Sequence, residues 1–164
     1  MNEKKVIIAF VIATVWILLG GVYFIGKSTT PAQVASSQEA KAVINKKTYD
    51  WGTIPYDGGL VKADFAIKNE GNGALQLTNI KTSCACTKAQ VAIDGTQSPF
   101  FSMHSVSSWV GEVLSGKQAT LTVIFDPAFH GPSGVGSMTR LISIETNDQE
   151  NRKLEFTLNG TVVK

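Results

Sequence analysis

Residues 119–125 read Ala119-Thr120-Leu121-Thr122-Val123-Ile124-Phe125. Ala119, Leu121, Val123 and Phe125 fall on one phase of a two-residue period, and Thr120, Thr122 and Ile124 on the other. Successive side chains of an extended strand point to opposite faces, so this pattern describes a strand with one face in a core and one in water. Two further stretches repeat it. Ala63, Phe65 and Ile67 alternate with Asp64, Ala66 and Lys68; Leu154, Phe156 and Leu158 alternate with Glu155, Thr157 and Asn159. These are expected to be half-buried antiparallel strands.

Turn chemistry separates the strands. Asn69-Glu70-Gly71-Asn72-Gly73 and Ser115-Gly116-Lys117 offer residues that tolerate positive φ, and Thr146-Asn147-Asp148 divides Leu141–Glu145 from Lys153–Val163. After Ala42 no amphipathic stretch is long enough for a helix of ten residues. About seven short strands in about 120 residues point to a two-sheet Greek-key sandwich over 43–164, with an eight-stranded barrel as the structural alternative. One connection breaks the rhythm: residues 95–110 are rich in serine and carry Phe100, Phe101 and Trp109 without a clean period. A connection of that length either works or is mobile, unless its aromatic side chains close one end of the sandwich.

Toward the N-terminus the chain changes character. Val6–Ile25 contains no charged residue, no Asn, no Gln and no Pro. As a helix these 20 residues would cover about 30 Å, the thickness of a bilayer's hydrocarbon core, so a single transmembrane span is expected there. Lys4 and Lys5 before it, against Lys27 after it, favour a cytoplasmic stretch 1–5 and an extracytoplasmic remainder. A cleaved signal peptide is the competing reading, but its apolar region normally takes about 7 to 15 residues. Residues 26–42 lack bulky apolar residues in any period and are expected to form a flexible linker. The whole chain of 164 residues carries a formal charge of +2. Setting aside Lys4, Lys5, Lys27 and Glu3 leaves twelve bases and twelve acids in 28–164. A neutral domain without a basic stripe has no means of holding a polyphosphate backbone, which excludes nucleic acid as a partner.

The chemistry that can be located centres on Cys84 and Cys86, the only two cysteines. If Thr82–Thr87 is extended, both sulfurs emerge on one face, and their Cα atoms sit at the far edge of what a disulfide accepts, so a direct bridge is disfavoured. Three readings remain open: small buried side chains in the core, capture of Cu(I) or Zn(II), or redox work or an intermolecular disulfide in an oxidising exported compartment. For metal capture, Met103, His104, His130 and Met138 are the candidate further ligands, and Lys81 and Lys88 are the cations that could favour a thiolate. Gly131-Pro132-Ser133-Gly134-Val135 lacks the second glycine of a nucleophile elbow, and no phosphate loop, dinucleotide fingerprint or His-Glu-x-x-His is present. No catalytic constellation is visible.

Taken in order, Tyr49-Asp50-Trp51-Gly52-Thr53-Ile54, Phe65–Gly71, Leu75-Gln76-Leu77 and Ser83-Cys84-Ala85-Cys86-Thr87 resemble the bacterial family called domain of unknown function 1573. Val123-Ile124-Phe125-Asp126, Ile144–Asp148 and Leu158–Val162 follow in the order that family shows. The resemblance implies an Ig-like sandwich similar to those of Hydin-type and pilus-chaperone-type proteins, commonly exported and attached to a membrane. It implies no established activity. Ala85 stands where the family's cysteine motif has glycine, and the insert at 95–111 is longer than in compact members. The expectation is therefore a membrane-anchored, extracytoplasmic, non-enzymatic binding or scaffolding module, held by its N-terminal helix and serving an envelope protein partner. The alternative from another class is metal (Cu or Zn) or thiol-redox handling through Cys84 and Cys86.

Overall fold

A computed structural model describes residues 3–25 and 30–164, and within the N-terminal helix the side chains of Lys5 and of 20–25 are outside the described set. The chain divides into two compact units, 1–30 and 31–164. The first holds helix α1 (Glu3–Ile25). Its described apolar side chains, Ile7, Phe10, Trp16 and Ile17 among them, are all exposed.

The span expected over Val6–Ile25 needs correction. A helix forms there, but among the described residues none is long and apolar enough to cross a membrane.

The second unit is built from ten strands: β1 (Ala42–Val43), β2 (Thr48–Pro55), β3 (Val61–Asn69), β4 (Leu75–Thr82), β5 (Thr87–Ile93), β6 (Thr96–Gln97), β7 (Gly111–Val113), β8 (Gln118–Phe125), β9 (Gly136–Thr146) and β10 (Lys153–Val163). They form two five-stranded sheets, ordered β1-β3-β8-β5-β6 and β2-β10-β9-β4-β7. Two separate sheets mean a sandwich, and the barrel is set aside. The three strands with the cleanest alternation lie where their apolar phases meet. Phe65 faces Leu121 across β3 and β8, Val91 faces Leu121 from the other side, and Phe156 faces Ile142 across β10 and β9. Phe65 and Phe156 touch across the sandwich with ring centroids 4.9 Å apart.

The strand count and the pairing depart from expectation. Ten strands replace seven, because β1, β6 and β7 are two or three residues long and carry too few positions to reveal a period. β2 runs parallel to β10, where antiparallel neighbours were expected throughout. The register of that pair shifts between Asn159 and Thr161. A Cβ at Gly160 would come within 2.8 Å of the Ile54 side chain, so glycine lets the two strands close up there.

The flexible linker expected over 26–42 also needs correction. Residues 26–29 lie outside the described set; 31–42 belong to the compact unit. Ser37 pairs with Asp148, the Glu70 amide donates to the Lys41 carbonyl at 2.9 Å, and Ala40 is buried. Backbone pairing supplies the order that side-chain hydrophobicity did not predict. Gly71 is part of the same contact. Its φ is not positive; a Cβ there would run into the Glu39 carbonyl oxygen, so close approach, and not a left-handed turn, requires glycine.

Asp148 ties this segment down. The residue is 2% exposed, and its carboxylate accepts from the Ala42 amide at 2.8 Å, the Glu150 amide at 2.9 Å and the Asn151 side chain at 3.0 Å. Burial works to raise the carboxyl's pKa, but these hydrogen bonds and one from the Asn151 amide outweigh it and hold the group below the ordinary aspartate value. A carboxyl depressed in the folded state contributes stability above its unfolded pKa of about 3.9, and that contribution disappears as pH falls through the folded pKa. Acidification below about pH 4 is therefore expected to lower the thermal midpoint, and Asp148→Asn to remove part of that acid dependence. Identical acid limbs for wild type and variant would contradict this account.

Candidate functional site

Cys84 and Cys86 sit between β4 and β5, where the chain leaves one sheet for the other. The stretch is a turn, not the extended run expected from the sequence. Thr82 and Thr87, at the two strand ends, hold it: Thr82 Oγ1 donates within reach of the Cys84 carbonyl at 2.9 Å and the Thr87 carbonyl at 3.1 Å, and the Thr87 amide donates to the Cys84 carbonyl at 3.1 Å. The turn brings the two Cα atoms to 5.3 Å and the sulfurs are joined. A direct disulfide, disfavoured on the assumption of an extended strand, is what the structure contains, because 5.3 Å lies well inside the range a disulfide accepts.

The two sulfurs have different surroundings. Cys86 is 3% exposed and belongs to a small apolar cluster with Ile54, Phe125, Met138 and Val162 at one end of the sandwich. Cys84 lies at the rim of that cluster and is half-buried. His130 Nε2 stands 3.3 Å from Cys84 Sγ. Arg140 Nε donates to Cys86 Sγ at 3.1 Å, and its guanidinium lies 5.5 Å from the Phe125 ring, which stacks on Trp51. Burial pushes the Arg140 guanidinium below its ordinary pKa. Beside Cys86, a hollow of about 270 Å³ is lined by Leu60, Ala85, Lys88, Ile124, Asp126 and Phe129.

The proposed ligands separate. Among the described residues, Cys84, Cys86 and His130 gather with their ligand atoms within 4.8 Å of one another, and His104 is not in that group. Met103 and His104 lie in a turn just past Phe101, which pairs with Ala89 of β5. Met138 is buried in the same small cluster as Cys86. The long connection is an irregular edge: Ser98 and Phe101 bond back to Val91 and Ala89 of β5, and Phe101 packs on Trp109 at 5.5 Å while Phe100 is exposed.

Lys81 and Lys88 are the cations near the cysteine pair in sequence, but the one that touches it is Arg140. Along β9, Met138, Ile142, Ile144 and Thr146 are buried, and Arg140 falls on the same inward phase. A charged residue at a core-facing position of an alternating strand is the signal that could have found it.

A model of the family described as a protein of unknown function (DUF1573) matches residues 42–97. That region contains both cysteines and neither His130 nor Arg140. No curated protein matches the sequence. Among solved structures, one similar chain is a protein of unknown function from Porphyromonas gingivalis W83, at 23% identity and a TM-score of 0.57, covering 77% of this chain. This chain spans half the length of that protein. The likeness is one of fold. Weaker likenesses are to PapD-like domain 7 of human CEP192 (16% identity, TM-score 0.48, 84% of this chain and 96% of that one) and to the YadV chaperone (12%, 0.41, 75% and 52%).

Proposed function

We propose that the chain is a binding or scaffolding module of the cell envelope whose working part is the Cys84–Cys86 pair, cycled between disulfide and dithiol. The observation that carries this reading is the unequal setting of the two sulfurs. Cys84 Sγ is the accessible one, beside His130, whereas Cys86 Sγ is buried and accepts a hydrogen bond from Arg140. An incoming thiolate attacks Cys84 Sγ, a new S–S bond forms, and the bond to Cys86 breaks with its electron pair on Cys86 Sγ. Arg140 holds that thiolate through a charge-assisted hydrogen bond. The partner's second thiolate then attacks its own sulfur in the mixed disulfide and releases the Cys84 thiolate. The two protons lost by the partner's thiols end on Cys84 and Cys86.

Loop length argues against a purely structural bridge. Cross-linking stabilises by restricting the unfolded chain, and a loop of three residues gives only about 1.6 kcal/mol in that treatment. A bridge this local does little as a staple. Its presence supports an oxidising, exported location, as does the uncharged run Val6–Ile25, by which we propose that the domain associates with a membrane. Protease added to intact cells or spheroplasts should cleave within 31–164; digestion only after lysis would defeat this placement.

The redox reading is tested by exposing the folded full-length chain to graded dithiol buffers and counting thiols. Two thiols should appear and disappear reversibly. The thermal midpoint should fall by less than about 8 °C on reduction, given the small loop. Thiols that appear only after denaturation would refute it.

A further inference from the structure

We infer that the reduced pair, together with His130, forms a three-coordinate site for Cu(I) that the disulfide closes. This rests on the redox reading above and adds to it a ligand and a gate.

Three donor atoms around one ion, at bond lengths of about 2.0–2.3 Å, lie about 3.5–4 Å apart. Cys84 Sγ, Cys86 Sγ and His130 Nε2 already lie within 4.8 Å of one another, and Nε2 is 3.3 Å from Cys84 Sγ. In the oxidised chain the sulfurs are bonded to each other and have no thiolate to offer. Breaking that bond lets the two side chains separate within a turn whose ends are tied, Ser83 to Leu141 of β9 and the Cys86 carbonyl to the Asp126 amide, while the backbone of Cys84 and Ala85 bonds to no strand beyond the two that the turn joins.

His130 is held where the site needs it. Gly131, at φ +62°, turns the chain immediately after it, the Gly131 amide donates to the Ala128 carbonyl at 2.9 Å, and Ser133 Oγ donates to the His130 carbonyl at 2.8 Å. The Phe129 ring lies edge-on to the imidazole at 5.1 Å. The imidazole therefore reaches Cys84 from a loop fixed by its own backbone.

The donor set selects the metal. Two thiolates and one imidazole are soft ligands that suit Cu(I), which accepts three-fold coordination. Zn(II) in structural sites takes four ligands, and among the described residues no fourth His, Cys, Asp or Glu joins the group. Charge agrees as well. Two thiolates and a monovalent ion leave one net negative charge, and the Arg140 guanidinium stands 3.1 Å from Cys86 Sγ to compensate it.

An external dithiol reduces the bridge with two electrons and two protons and is itself oxidised to a disulfide. Cu(I) then displaces the two thiol protons. An external disulfide takes two electrons from the two thiolates and leaves as a dithiol after gaining two protons; the Cys84–Cys86 bond re-forms, both thiolates are withdrawn and the ion is expelled.

The test uses the full-length chain in detergent, reduced by a dithiol and desalted without oxygen, titrated with Cu(I) against bicinchoninate. One Cu(I) per reduced chain is expected, with ultraviolet thiolate-to-copper absorption, and none for the disulfide form. Cys84→Ser should weaken binding by at least about a thousandfold, and exposed His130→Ala by about ten- to a hundredfold, with circular dichroism confirming the fold of each. Equal binding by the oxidised chain, unchanged affinity in His130→Ala, or uptake of Zn(II) without Cu(I) would overturn the inference. If thiols form reversibly and no copper binds, the metal site alone fails. A bridge that cannot be reduced in the folded chain defeats both readings.

Discussion

Truncating Phe156 to alanine should lower the unfolding free energy of the sandwich by about 3–5 kcal/mol. Phe156 is fully buried on β10, opposite Ile142 of β9, and its ring meets Phe65 of the other sheet at 4.9 Å. It is therefore a contact between the two layers, and its loss removes a transfer term and leaves a cavity that strands fixed by two ladders cannot collapse into. Domains of this kind are stable by about 5–15 kcal/mol, so the variant is expected near the edge of folding. Urea denaturation followed by tryptophan fluorescence measures it. Phe100→Ala is the control: that ring is 53% exposed, and a change within about 0.5 kcal/mol is expected. A loss under about 1.5 kcal/mol for Phe156→Ala would mean that the interface is looser than described.

The second large effect concerns the sulfurs. Replacing Arg140 by methionine should slow dithiol reduction of the Cys84–Cys86 bridge by about ten- to a hundredfold, because a hydrogen bond to a charged group is worth about 1.5–3 kcal/mol and the Cys86 thiolate develops its charge as the bond breaks. The guanidinium's stacking near Phe125 is partly replaced by the methionine stem, so the fold should persist. Stopped-flow reduction at fixed pH separates the two roles. If the rate is unchanged while the thermal midpoint falls, Arg140 only packs. Lys88→Met is the comparison, since Lys88 lines the neighbouring hollow without touching sulfur, and its rate should stay within about twofold of wild type.

Strands whose one face packs on the core and whose other meets water were legible: β3, β8 and β10 write their burial directly as alternation. β2 was not, since its burial is irregular and its parallel pairing with β10, whose register shifts beside Gly160, leaves no period. The cysteine turn was misread for a related reason. Thr82 and Thr87 suit strands, and the hydroxyl of Thr82 instead closes the turn between them. Of the site, the cysteines could be named in advance, but His130 and Arg140 reach them from positions 46 and 54 residues away. Sequence distance carries no record of that meeting, although Arg140 betrayed itself by occupying an inward phase.

The outermost strands of one sheet, β1 and β6, are two residues each, and β7 on the other sheet is three. Those three margins are too short to template a neighbour, which is how natural sheets avoid joining edge to edge. The fourth margin, β2, is eight residues long, so copies crowded on one surface would zip together along β2 first.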